Sequence, residues 1–115
     1  MAEATNNHAI GRRKESVCRV YLKPGSGKWD DNGRTLGDYF PRPTLVSSIQ
    51  QPFTATDTLG RFDVRARIDG GGVSGQAGAL RLAVARALVR LDEGYRRNLR
   101  DLRLLTRDAR GVERK

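Results

Sequence analysis

The chain reads as a single domain that mixes strands with helices, and three observations carry that reading. Phe62, Val64, Ala66 and Ile68 alternate with Arg61, Asp63, Arg65, Arg67 and Asp69, the period-two pattern of a strand with one dry and one charged face. Leu80, Val84, Ala87, Leu88 and Leu91 then recur at helical spacing, with Leu82, Ala85 and Val89 as a second stripe and Arg86 and Arg90 on a narrow basic edge. Between the two lies Gly70-Gly71-Gly72-Val73-Ser74-Gly75-Gln76-Ala77-Gly78, a turn that brings bare backbone amides to the start of a helix. At 115 residues the chain can bury one modest core, and a second domain is not expected.

The remaining elements follow in order. Residues 1–10 are polar and are expected to form a flexible segment, with the globular part spanning 11–105. The N-terminus has no apolar run and nowhere do 18 apolar residues follow one another, so a soluble chain without a secretory signal is expected. Cys18, Val20 and Leu22 alternate with Val17, Arg19 and Tyr21, which predicts a strand over 17–23 with Cys18 as a small core residue. A lone cysteine forms no internal disulfide or metal cluster, which fits a reducing cytosol. Pro24-Gly25-Ser26-Gly27 predicts a turn, and Lys28-Trp29-Asp30 a short strand broken at Asp31-Asn32-Gly33, where hairpin geometry is expected. Leu36, Tyr39 and Phe40 fit one helical turn before Pro41, Leu45, Val46 and Ile49 a short helix between Pro43 and Pro52, and Phe53-Thr54-Ala55-Thr56 a further strand. If 93–103 is helical, Tyr95, Leu99 and Leu102 cover one side while Arg96, Arg100 and Arg103 line another. Residues 106–115 hold too few apolar side chains to pack and are expected to form an extended basic arm.

Charge and motifs narrow the function. The chain carries 22 Lys+Arg against 13 Asp+Glu, a net charge of +9, which points to a polyanion partner. Nucleic acid leads, because aromatics are only 6% of the chain and no Trp/Phe-rich face supports a membrane surface. Gly70-x-Gly72-x-x-Gly75 matches the dinucleotide fingerprint between a strand and a helix, but no second strand with a terminal acid follows Leu91. Gly25-Ser26-Gly27-Lys28 approaches a P-loop, yet Leu22 stands at the first glycine position and Trp29 at the Ser/Thr position. The single histidine, His8, lies in a polar stretch without a thiol or paired carboxylate, and no metal-ligand spacing is present. The alternative to a nucleic-acid binder is therefore a small nucleotide-binding enzyme using the Gly70–Gly75 loop, and a free-standing DNA-binding module is a third reading. Basic sites in every part of the chain, Arg12-Arg13-Lys14, Arg61/Arg65/Arg67, Arg96/Arg97 and the terminal arm, suit a partner whose phosphates repeat.

One family accounts for these features together. Gly11-Arg12-Arg13-Lys14-Glu15-Ser16-Val17-Cys18-Arg19-Val20, Gly25 to Lys28, Asn32-Gly33, Asp38-Tyr39-Phe40, Asp57-Thr58-Leu59-Gly60-Arg61-Phe62-Asp63, Gly70 to Arg81 and Leu104-Leu105-Thr106-Arg107-Asp108-Ala109-Arg110 resemble the bacterial family of the ninth small-subunit ribosomal protein. The resemblance runs from Gly11 to Lys115 and implies an α/β, two-layer α+β fold. In it a mixed sheet of about four strands carries helices on one face, as in the second domain of ribosomal protein S-five and the GHMP kinases. It implies a non-enzymatic, cytoplasmic role in the ribosome, binding the 3′ major domain of small-subunit ribosomal RNA in the head beside other head proteins. Neither a cofactor nor a membrane or small-molecule partner is implied. Cys18 stands where the family often has alanine, a tolerable exchange in a core strand. Family members usually continue past Val-Glu-Arg-Lys with a Lys/Arg-rich tail that approaches peptidyl-site transfer RNA; this sequence stops at Lys115, so that role is assigned to no residue here.

The candidate RNA-contacting residues are Arg12, Arg13, Lys14, Arg19, Gly71, Gly72, Ser74, Gly75, Gln76, Arg97, Arg107, Arg110, Arg114 and Lys115. Arginine and lysine supply charge, and the glycine loop supplies close backbone approach. Gly72 is expected to need φ > 0, Ser74 to suit the helix N-cap, and Gly78 to permit tight packing of the helix start.

Overall fold

The computed structural model describes residues 8–101, which form four strands and four α-helices. The strands are β1 (His8–Arg13), β2 (Ser16–Pro24), β3 (Trp29–Asp31) and β4 (Phe62–Asp69). The helices are α1 (Leu36–Tyr39), α2 (Pro43–Ala55), α3 (Val73–Leu91) and α4 (Arg96–Asp101), with a 3-10 turn over Glu93–Tyr95 before α4. The sheet has the order β1-β2-β4-β3; β2 pairs antiparallel with β1 and β4, while β3 runs parallel to β4. The fold is thus α+β with a mixed four-stranded sheet. One sheet face carries the buried Ala9, Cys18, Val20, Leu22, Val64, Ala66 and Ile68, as the alternation in β2 and β4 predicts.

The long helix α3 covers that face. Its buried Leu80, Val84 and Leu88 each contribute about 1.5–3 kcal/mol by leaving water. Small residues on the same helix let β1 approach closely. At Gly11 a Cβ would lie 2.3 Å from the Ala79 carbonyl oxygen and 2.6 Å from the Ala83 nitrogen, so only glycine fits this crossing. The Arg86 guanidinium also donates to the Ile10 carbonyl at 2.9 Å, tying α3 to β1 rather than lining an open basic edge.

Three expectations are corrected. The first strand begins at His8, upstream of the expected domain start at Gly11, and β1 was not legible as a strand. Its hairpin to β2 turns on Lys14 and Glu15, both at positive φ (48° and 70°), a two-residue reversal without the Asn-Gly chemistry that marks such turns. Second, the Asn32-Gly33 reversal forms, with reciprocal backbone bonds between Asp31 and Arg34, but does not extend into a hairpin. Thr35 caps α1 directly afterwards by accepting from the Asp38 amide, and β3 pairs with β4 instead. Third, residues 53–55 are helical, because α2 continues through Pro52. Phe53 there packs its ring 5.8 Å from Trp29 and 6.2 Å from Phe62, and this packing outweighs the local breaker signal.

Candidate nucleic-acid interface

The glycine loop joins β4 to α3, and its backbone is shaped by two residues that require left-handed conformation. Gly70 and Gly71 have φ of 75° and 65°, and a Cβ on Gly71 would lie 2.0 Å from Ser16 Oγ. Gly72 differs from expectation: its φ is −95°, it occupies the N-cap of α3, and a Cβ there would meet no heavy atom within 4 Å. Ser74 lies exposed in the first helical turn and is not the cap. Among the described residues no side chain caps α3, which leaves the first backbone N–H groups of the helix open at its positive end.

A hydrogen-bonded frame holds this loop open. The Gly70 carbonyl accepts from Ser16 Oγ at 3.0 Å and from Gln76 Nε2 at 3.0 Å. Tyr39 donates its hydroxyl to Gln76 Oε1 at 3.0 Å, and burial raises the Tyr39 phenol above its ordinary value, keeping it a donor. Gln76 therefore acts within the loop, positioning Gly70 rather than projecting outward. Gly75 is buried beneath the hairpin, with Ser16 Oγ 3.0 Å and the Arg13 carbonyl oxygen 3.2 Å from its Cβ position. Both residues support the loop; Gly71, Gly72 and Ser74 form its accessible surface.

The hairpin tip supplies the charge. Strand alternation separates Arg12, on the open face of the sheet, from Arg13, which turns toward α3. The Arg13 side chain runs along Gly78, where a Cβ would lie 2.4 Å from its Cδ, so Gly78 does permit tight packing at the helix start. Arg81 lies in the same neighbourhood. Burial first, and repulsion from Arg13 second, hold it below the ordinary arginine value, and among the described residues its buried Nε has no hydrogen-bond partner. Sequence reasoning did not single out Arg81; the signal was the spacing of Ser74, Gly78 and Arg81 at i, i+4 and i+7, which places all three on one helix face. Lys14, Arg13 and Arg81 thus follow one another along the first turns of α3, from Gly75 to Gly78 and beyond, an arrangement of positive charge that suits an oxyanion such as phosphate.

The other candidates lie elsewhere. Arg12 and Arg19 share the open sheet face. Arg97 is exposed on α4, beyond the far end of α3 and about 28 Å of helix away from the loop. Arg107, Arg110, Arg114 and Lys115 lie outside the described residues, as does the expected basic arm. Among the described residues no group of three or more His, Cys, Asp or Glu side chains is placed to hold a metal ion, and no helix is long and apolar enough to cross a membrane. One titratable group stands apart from the basic surface. Asp31 is fully buried on the core face of β3 with neither carboxylate oxygen hydrogen-bonded among the described residues, and burial, then the charge of Asp30, raises it to about 7.

A family model described as Ribosomal protein S9/S16 matches residues 11–115. The chain is 79% identical over 107 residues to small ribosomal subunit protein uS9 of Gemmatimonas aurantiaca, covering 93% of this chain and 83% of that protein. It is 48% identical over 118 residues to uS9 of Thermotoga maritima, covering 100% and 88%, and 55% identical over 108 residues to uS9 of Paenarthrobacter aurescens, covering 93% and 64%.

Proposed function

The chain belongs to the ribosomal protein S9/S16 family, and from that premise we propose that the loop 70–76 and the β1–β2 hairpin form its principal seat for ribosomal RNA backbone. It is a structural protein of the small ribosomal subunit that works within the cytoplasmic ribosome, with ribosomal RNA and ribosomal proteins as partners, and it is not an enzyme. The nucleotide-binding alternative for the glycine loop gives way to that membership. The observation that supports the RNA seat best is the line of cationic residues along the first turns of α3, Lys14 against Gly75, Arg13 against Gly78 and Arg81 beside Arg13, next to a helix start with no side-chain cap among the described residues. Cationic side chains neutralise phosphate while the amides fix its position, and the rigid sheet and helix hold both in register.

The finer parts of the reading rest on the family resemblance. The domain begins with β1 at His8 rather than at the expected Gly11 and is layered like the second domain of ribosomal protein S-five, a likeness supported by the mixed sheet with helices on one face. It docks on the 3′ major domain in the head, beside other head proteins, with Arg97 and the arm residues Arg107, Arg110, Arg114 and Lys115 extending the contact. Gly72→Val tests the loop. The variant keeps its fold, within about 1 kcal/mol, because its Cβ enters open space at an ordinary φ, yet it obstructs backbone approach and enters small-subunit particles poorly. Incorporation equal to wild type in a competition assembly assay would overturn the assignment.

A further inference from the structure

We propose that the open face of the sheet is a second RNA site, one that stacks an unpaired base on Tyr21 and grips the flanking phosphates with Arg19, Arg65 and Arg67. The inference rests on the reading of the chain as a ribosomal RNA binder and extends it to a surface remote in character from the glycine loop.

The helices cover only the core face, which leaves the other face exposed. Register places His8, Tyr21 and Arg65 opposite one another across β1, β2 and β4. The His8 and Tyr21 rings lie 4.9 Å apart at 31°, and Tyr21 is 44% exposed, so an aromatic platform faces solvent. Arg19 and Arg67 are direct cross-strand partners in the adjacent row, about 6.8 Å further along the strands. Two like charges directly opposite each other destabilise a sheet, and neither forms an ion pair among the described residues. No acid is the direct cross-strand partner of either arginine in the described strands. Asp63 turns its carboxylate to the amides of Ser26, Gly27 and Lys28, Asp30 is in register with Arg65, and Asp69 lies at the loop end of β4 opposite Val17. An aromatic ring flanked by arginines that form no ion pair among the described residues is the chemistry by which single-stranded RNA is held: the base stacks, and the guanidinium groups meet phosphate.

The experiment uses the full chain and a fluorescein-labelled single-stranded oligouridylate, read by anisotropy over a salt series, with a duplex RNA of equal length in parallel. Tyr21→Ala and Tyr21→Leu each weaken single-strand binding about tenfold, whereas Tyr21→Phe binds like wild type. The Leu variant keeps apolar bulk, and circular dichroism verifies the fold of each. Arg19→Gln combined with Arg67→Gln lowers the log–log salt slope by about 1.4, the share of two phosphates. Unchanged single-strand affinity in both Tyr21→Leu and the double arginine variant overturns the proposal. So does the same loss on duplex as on single strand in Tyr21→Leu. If those sheet variants enter small-subunit particles poorly while binding the oligonucleotide normally, a neighbouring protein occupies the face and the inference falls. Gly72→Val assayed for incorporation alongside separates the two readings: its failure with normal sheet variants leaves the loop assignment standing and removes this one.

Discussion

Asp31→Asn isolates the pH dependence of this fold. In the folded chain Asp31 is fully buried with neither carboxylate oxygen hydrogen-bonded among the described residues, and its carboxyl is raised from 3.8 to about 7, by burial first and by Asp30 second. The unfolded chain releases this proton near 3.8. Between about pH 4 and about pH 7 the unfolded state therefore binds fewer protons than the folded state, and stability falls as pH rises through that window. Below it both states are protonated and no penalty exists; above it the penalty is constant. The displacement corresponds to about 4 kcal/mol, a large fraction of the 5–15 kcal/mol roughly typical of a domain. The assay is urea unfolding followed by far-ultraviolet circular dichroism across that range. Asparagine cannot ionise, so the stability of Asp31→Asn relative to wild type rises by several kcal/mol from the acid to the neutral end. The buried amide lowers the variant's stability by a pH-independent amount and leaves this difference in slope intact. Parallel profiles for the two proteins would refute the reasoning.

Three further outcomes follow from the geometry. Gly11→Ala sets a Cβ against the α3 backbone at Ala79 and Ala83, which cannot give as a flexible side chain would, and costs about 3 kcal/mol or more in chemical denaturation; a loss near zero would place Gly11 outside the helix crossing. Glu15→Gly relieves a left-handed residue in the β1–β2 turn and raises stability by about 1 kcal/mol, while a destabilised variant would contradict the turn assignment. Asp63 accepts from the amides of Lys28, Ser26 and Gly27, which hold its carboxyl below the ordinary value, so its contribution is present at neutral pH and fades as pH falls through that lowered value. Asp63→Asn keeps an acceptor oxygen but flattens the acid limb of a circular-dichroism titration, and an unaltered limb would show that the Ser26–Lys28 turn does not depend on the charge.

The elements with clean periodicity were legible because one face of each is dry. Cys18, Val20 and Leu22 in β2, Phe62 to Ile68 in β4 and the apolar stripes of α3 all lie where alternation or helical spacing places them, although Phe62 is only partly buried. β1 escaped because its core face is made of Ala9 and Gly11, too small to register as a hydrophobic pattern, and its turn is built from Lys14 and Glu15. Residues 53–55 escaped for the opposite reason: Pro52 and the β-branched Thr54 suggest a break, and only packing against Trp29 and Phe62 keeps the segment helical. Within the site, Arg13, Lys14 and the exposed glycines were named from sequence. The supporting parts played by Gly75 and Gln76, and the presence of Arg81, depend on which atoms the hairpin brings over the loop.

By itself the sequence determined the partner's charge, through its +9 balance and the glycine-rich strand-to-helix turn, and ordered motifs sufficient to point to the family. Those properties are local or additive, so they do not depend on how distant elements pack. Only the tertiary structure decided which glycines face solvent and which fill a crossing, that Arg12 and Arg13 serve different faces, and that the Asp31 carboxylate is buried without a hydrogen bond among the described residues. Each of these depends on elements far apart in the chain, β1 against α3 or β3 against β4, where close packing leaves room for some atoms and excludes others.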